Sequence, residues 1–501
     1  MTKLKLSGVS KAYGATLALR RGDLELDTGE VHVLIGANGS GKSTLCKIVA
    51  GSVRPDAGDV LLDGRAVTVS GPRAAQALGI GIFYQELSLA DHRSVAENIC
   101  LPDLPKQSGF FIDRAALRQK AERYIALFEA VAGAELRADT NVDDLRADQR
   151  QLVEIMKALA TEAPVLIFDE PTSALDRAQV DRFFEILRGL RNDGRSIVFI
   201  SHRMDEIFAI GDRVTVIRDG ETIGTMAIAE TTPEAVIHMM VGEQEELAAP
   251  QQAAPPSHAA STDAALTVEN LTGAGFRDVS FTVRRGEILG LGGLHGQGQS
   301  ALLKALFGAP PPSAGEARIA RERLRTDSPR SAIAQGVAYV SGDRSRDGVI
   351  TGRPILENVT PIHALRNRLV LARPGRLAEK ALPALKALNT KFAGLSHSIG
   401  SLSGGNQQKI VIARWLIDKP DILLLDDPTK GIDLSAKTDL FALIRRLAEE
   451  GLAIVLYSSE DAELLNNADR ILVFNGGAVS RELSGAERTR YNLYQAAYEA
   501  A

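Results

Sequence analysis

The sequence predicts an α/β protein made of two tandem copies of one domain, each a parallel-sheet core with a phosphate-binding loop and a helical subdomain. Three observations predict it. Distant segments repeat at one constant spacing. Short, wholly apolar runs end in glycine or in acids, as buried parallel strands do. The composition breaks once, between the two copies.

The repeat is explicit. Gly29–Ser43 recurs as Gly286–Ser300, and Leu166–Thr172 recurs as Leu423–Thr429, both displaced by 257 residues. Two distant anchors sharing one offset mark duplication of a whole domain. Residues 242–263 are rich in Ala, Pro and Gln without apolar periodicity and read as a linker. The expected domains are therefore 1–241 and 264–501, each of about 240 residues and large enough for its own core.

The elements of the first copy follow in order. Val31–Ile35 is a buried strand, and Ser43–Ala50 continues from it as a helix. Leu117, Ala121, Tyr124, Ile125 and Phe128 share one helical face, which predicts a helical insert around 90–160 packed through that stripe. Val165–Phe168 and Ile197–Ile200 are further buried strands, and Tyr491–Ala501 reads as a short helix.

Composition narrows the functions. Of 501 residues, 45% are apolar and 24% charged, and the net charge is −5 with a pI near 6.0. That balance argues against nucleic-acid binding through a basic face. The two cysteines, Cys46 and Cys100, form neither a disulfide framework nor a metal cluster, consistent with a reduced, cytosolic setting. The start Met1-Thr-Lys-Leu-Lys-Leu lacks signal-peptide character. No uncharged apolar run reaches the roughly 18 residues needed to span a bilayer, and Ile288–Leu303 is broken by glycines, His295 and glutamines. At a membrane, another chain would have to supply the spanning part.

The chemistry concentrates at strand ends. Gly36–Ser43 fits G-x-x-x-x-G-K-[ST] between a predicted strand and a predicted helix. Such glycines let backbone N–H groups wrap a phosphate, and the helix start adds positive potential. Gly36, Asn38, Gly39, Ser40, Gly41, Lys42, Ser43 and Thr44 are the expected cradle. Lys42 would neutralise the β- and γ-phosphates, and Ser43 would offer its hydroxyl to Mg²⁺. Asp169 and Glu170 end an apolar strand, and two adjacent carboxylates there call for a compensating cation. Asp169 is the Mg²⁺ partner through water, and Glu170 the base or water-positioning group. His202 follows a third strand and reaches the same sheet edge, where ligands bind in open α/β sheets, so it is expected at the γ-phosphate.

The order of phosphate loop, Gln85, Asp169-Glu170, Ser173-Ala174-Leu175-Asp176 and His202 resembles the ATP-binding cassette (ABC) ATPases. Leu402-Ser403-Gly404-Gly405-Asn406-Gln407-Gln408 resembles the ABC signature, and the likeness covers nearly all of the chain outside the linker. Tandem domains with this second signature and no lysine in the second phosphate loop look like the ATPases of ribose-, xylose- and galactose-type monosaccharide importers. The resemblance implies that Tyr13 stacks on adenine, that Gln85 couples Mg²⁺ to membrane subunits, and that Asp176 faces the partner domain. It also implies head-to-tail pairing, with ATP between one phosphate loop and the other domain's Ser403, Gly404, Gly405 and Asn406. The implied partners are a separate transmembrane permease, as a homodimer, and indirectly an extracytoplasmic sugar-binding protein. The implied place is the cytoplasmic face of the inner membrane, with ATP and Mg²⁺ as cofactors and no nucleic acid.

The second copy departs systematically. At the constant offset Lys42 becomes Gln299, Gln85 becomes Gly342, Glu170 becomes Asp427 and His202 becomes Ser459. The signature is intact in the second copy and degraded to Arg146-Ala147-Asp148 in the first. Under head-to-tail pairing all losses fall on one composite site, leaving one competent and one degenerate. The alternatives are the same architecture serving nucleosides or polyols, and a soluble tandem ATPase on ribosomes or DNA. The latter would be expected to carry a basic linker or zinc-binding cysteines and two intact phosphate loops.

Overall fold

A computed structural model describes residues 2–498 apart from 15, 38, 85–86, 108–110, 202, 243–262, 370, 372, 431 and 433. Asn38, Gln85 and His202, and the linker apart from its two end residues, thus lie outside the described residues. The chain divides into two compact units, Met1–Glu243 and Gln244–Ala501.

In the first unit five parallel strands stand in the order Ile80–Phe83, Val165–Asp169, Ser196–Ile200, Val31–Ile35 and Arg213–Arg218. The three central ones are buried at every position, as their mostly apolar residues require, and the one histidine among them, His32, is bonded by Glu30 and Thr215. The sheet continues through the antiparallel strand Glu221–Ala227 to Thr16–Asp27, Thr2–Tyr13 and Ala57–Leu62. Phe168 from the sheet meets Phe183 of helix Arg177–Asn192 edge-on at 5.2 Å, and Phe199 meets Phe184 at 5.8 Å. These contacts anchor the helix beneath the strand ends that carry the chemistry.

The expected insert is present as helices Val95–Cys100, Arg114–Ile125 and Ala147–Leu159. The first is fixed by a capping box, in which Ser94 accepts from the Glu97 N–H and Glu97 accepts from the Ser94 N–H. Leu117, Ala121, Tyr124 and Phe128 are buried as the stripe predicts, although Ile125 is only half-buried and a 3₁₀ turn follows it. A short antiparallel pair, Lys106–Gln107 with Phe111–Ile112, was not anticipated; two-residue strands leave too little pattern to read.

The second unit repeats the parallel order with Val337–Val340, Ile422–Asp426, Ala453–Tyr457, Ile288–Gly293 and Arg470–Asn475. Its antiparallel strands Phe276–Arg284, Ala264–Gly273 and Ala314–Ile319 form a separate sheet. The expected C-terminal helix is Arg490–Tyr498, held by the Tyr494 hydroxyl donating to Asp461 at 2.7 Å. Among the described residues no helix is long and apolar enough to cross a membrane.

Candidate functional site

The phosphate loop leaves strand Val31–Ile35 and enters helix Lys42–Val49. At two of its glycines it runs too close to its neighbours for a side chain. A Cβ at Gly36 would lie 2.1 Å from the Ile217 carbonyl oxygen. Gly41 has φ of +107°, and a Cβ there would lie 2.8 Å from the Ala18 oxygen. The Lys42 ammonium, only 7% exposed, donates to the carbonyl oxygens of Gly36 and Ala37 at 2.7 and 2.9 Å. Burial pulls its pKa down, against the opposing pull of Glu170 and Asp169. The Ser40 hydroxyl is buried inside the loop without a partner among the described residues. A buried lysine and an orphaned hydroxyl in a glycine cradle are what a phosphate would satisfy.

Asp169 ends strand Val165–Asp169, and its carboxyl is pushed up by burial and then by the Glu170 charge, with the Ser43 hydroxyl bond and Lys42 opposing. Glu170 turns the chain sharply at φ +54°, its N–H donating to the Ile200 oxygen at 3.0 Å. Lys42, Ser43, Asp169 and Glu170 thus meet at one end of the sheet. A hydroxyl and two crowded carboxylates are a hard-oxygen set suited to Mg²⁺. Tyr13, at the end of strand Thr2–Tyr13, is 46% exposed with the Lys11 ammonium 6.0 Å from its ring centre.

Ser403, Gly404, Gly405 and Asn406 lie in the second unit. Ser403 stands at the start of helix Gly404–Leu416, and Asn406 donates to its hydroxyl at 3.0 Å. In the first unit the equivalent helix start carries Arg146, paired with Asp148 and Glu135. Carboxylates at that position oppose the anion site that a bare helix start offers.

Sequence reasoning missed two groups. Glu206 is a buried clasp, accepting from Thr172 at 2.9 Å and Ser201 at 2.6 Å. It ties the turn after Glu170 to the strand end before His202. Glu463 repeats it with Thr429 at 2.7 Å and Ser458 at 2.6 Å. The constant offset could have exposed this pair. Arg344, in turn, donates to the Gly404 oxygen at 2.9 Å, so the segment after Gly342 braces the signature.

A domain whose buried lysine, Mg²⁺-suited acids and phosphate cradle meet at the carboxyl end of a parallel sheet is a nucleotide triphosphatase core, here present twice in related form. The family model for ABC transporters matches residues 19–173 and 276–430. A protein of Burkholderia lata, named an import ATP-binding protein for ribose, galactose and methyl galactoside, is 43% identical, covering 99% of this chain and 96% of its own. The ribose import ATP-binding protein RbsA of Chromobacterium violaceum is 41% identical, covering 99% and 97%. One from Rhizobium meliloti is 39% identical, covering 97% and 95%. The chain belongs to the ABC transporter family and is one of its ATP-binding ATPase subunits.

Proposed function

We propose that this chain energises sugar import through a separate membrane permease, bound peripherally at the inner face of the membrane and hydrolysing ATP at one composite site only. The observation that carries the reading is the split inventory: one unit keeps Lys42, Asp169 and Glu170 at its phosphate loop, and the other keeps Ser403-Gly404-Gly405 at an open helix start. Each unit supplies what the other lacks, as head-to-tail pairing requires. The relatives' names point to a pentose or hexose as the transported solute. The permease is a homodimer, one tandem chain serving both copies, and solute reaches it from an extracytoplasmic binding protein.

At the competent site the loop N–H groups bind the β-phosphate. Lys42 stabilises charge on the transferred group; a unit charge at about 4 Å with an effective dielectric near 20 contributes about 4 kcal/mol. Ser43 and, through water, Asp169 would hold Mg²⁺, which would supply positive charge against the charge developing on the phosphates. Glu170 orients the attacking water, whose oxygen bonds to the γ-phosphorus as the bond to the ADP oxygen breaks. His202 contacts the γ-phosphate, Gln85 couples the Mg²⁺ site to the permease, and Tyr13 stacks on adenine. Ser403, Gly404, Gly405 and Asn406 close the site from the other unit.

The test is ATP turnover by the full chain with its permease, comparing Lys42→Ala with Gln299→Ala. Loss in the first with little change in the second supports one active site. Equal losses sink it.

A further inference from the structure

The second phosphate loop repeats the left-handed glycine pair of the first, as Gly296 and Gly298, and keeps its serine and aspartate, as Ser300 and Asp426, but surrounds those two groups differently. Asp426, equivalent to Asp169, accepts on one oxygen from both the Ser300 and the Tyr339 hydroxyls, each at 2.6 Å. The first unit has Ile82 where Tyr339 stands, so nothing there offers such a bond. Tyr339 is held in place by stacking on Phe307, ring centres 5.1 Å apart. Asp427 accepts from the Ser459 N–H at 3.1 Å and from its hydroxyl at 3.0 Å. At Gly342 a Cβ would lie 2.8 Å from the Asp426 carbonyl oxygen, so no side chain fits where the first unit has Gln85. Mg²⁺ demands near-ideal octahedral oxygen ligands, and here it would have to displace the Tyr339 hydroxyl from Asp426 and the Ser459 hydroxyl from Asp427.

The loop is nevertheless built to receive an anion. Gln299 donates to the Gly292 and Leu294 oxygens at 3.0 and 3.1 Å, a neutral copy of the lysine's paired carbonyl bonds that keeps the loop's shape. A cavity of about 380 Å³ lies against it, lined among others by Phe276, Gly296, Ser300, Lys304 and Pro310. His295 bonds the Tyr457 hydroxyl at 2.9 Å beside the two aspartates.

We propose that this cavity takes a nucleoside diphosphate without a divalent cation, and that Tyr339 is the residue that displaces the cation. Loop N–H groups and Lys304 serve two phosphates. A third would face Asp426 and Asp427 with neither lysine nor metal between, so the triphosphate is disfavoured. The proposal rests on reading the second unit as a non-hydrolysing nucleotide domain; it is independent of first-unit turnover.

The experiment is equilibrium dialysis of labelled ADP against the full chain, in Mg²⁺ and in EDTA. One site should survive EDTA with its Kd changed by less than about threefold. It should persist in Lys42→Ala and vanish in Ala301→Glu, which sets a carboxylate in the cavity lining. In EDTA, ATP should compete at least about tenfold more weakly than ADP, and Tyr339→Ile should make the site at least about tenfold dependent on Mg²⁺. EDTA-stripping of all bound ADP overturns the proposal, as does a surviving site that follows Lys42 instead of Ala301. ATP competing as well as ADP, or Tyr339→Ile binding unchanged in EDTA, overturns it too. Turnover that survived Lys42→Ala would sink the import-ATPase mechanism while leaving this result standing.

Discussion

The two units share a sheet, a loop and a buried carboxylate clasp, yet differ in how their strand-end acids are satisfied. In the first, Asp169 is desolvated and crowded by the Glu170 charge, with the Ser43 bond and Lys42 opposing. In the second, Asp426 accepts from Ser300 and additionally from Tyr339, and Asp427 accepts from Ser459. Asp169 and Asp426 both keep a serine bond, and the added tyrosine hydroxyl is what sets the second unit apart. The difference teaches that one scaffold can hold the same strand-end acids in two electrostatic settings without changing the order of its parallel strands.

The sharpest way to break that contrast is turnover. Lys42→Ala and Glu170→Gln should each cut kcat by at least about a hundredfold, whereas Gln299→Ala and Asp427→Asn should stay within about twofold. A smaller effect is expected at the signature: Ser403→Ala should cost about tenfold in steady-state hydrolysis, and Arg146→Ala almost nothing.

The clasps sharpen the comparison differently. Glu206→Ala and Glu463→Ala should lower stability by similar amounts, about 1–3 kcal/mol, because each takes the shared acceptor away from two buried hydroxyls. Only Glu206→Ala should also lower kcat with KM preserved. Calorimetry beside kinetics separates the two.

Tension at Asp169 predicts a gain. Burial and Glu170 raise its folded pKa, so the native state binds this proton more tightly than the unfolded chain does. Its ionisation therefore costs stability above that pKa, a cost relieved as pH falls through it. Asp169→Asn should raise the melting temperature of the nucleotide-free chain near neutral pH while abolishing hydrolysis. An unchanged or lower melting temperature would remove the argument from strain.

The smallest effect concerns a feature both units keep, the ion pairs Glu30–Arg213 and Glu287–Arg470. Burial opposes ionisation of Glu30, but bonds from Arg213 and His32 outweigh it and bring its pKa from 4.5 to about 2. Its stabilisation is full above pH 4.5 and lost as pH falls towards 2. Glu30→Gln should flatten that stretch of the acid-unfolding curve.

Much of this was legible in the sequence because the carriers are contiguous. The phosphate loop, the apolar strand Leu166–Phe168 with its acids, and the Leu402–Gln408 run each fit a pattern within a few residues. The 257-residue offset exposed the Gln299, Asp427 and Ser459 replacements before any coordinates. Tyr339 was not legible, since a tyrosine in a strand reads as packing until its hydroxyl is seen 2.6 Å from Asp426. Glu206 looked like one more helix-start acid, and its two hydroxyl donors come from separate segments. Arg344 meets Gly404 across 60 residues of sequence, a distance no local pattern spans.

Gly342 gives the divergence a direction. Restoring glutamine there is not a simple reversal, because the backbone has settled to within 2.8 Å of where its Cβ would go. A glutamine at 342 therefore asks for more than a new side chain: the main chain beside Asp426 must withdraw first. Under the one-active-site proposal this makes the change a ratchet, easier to enter than to leave.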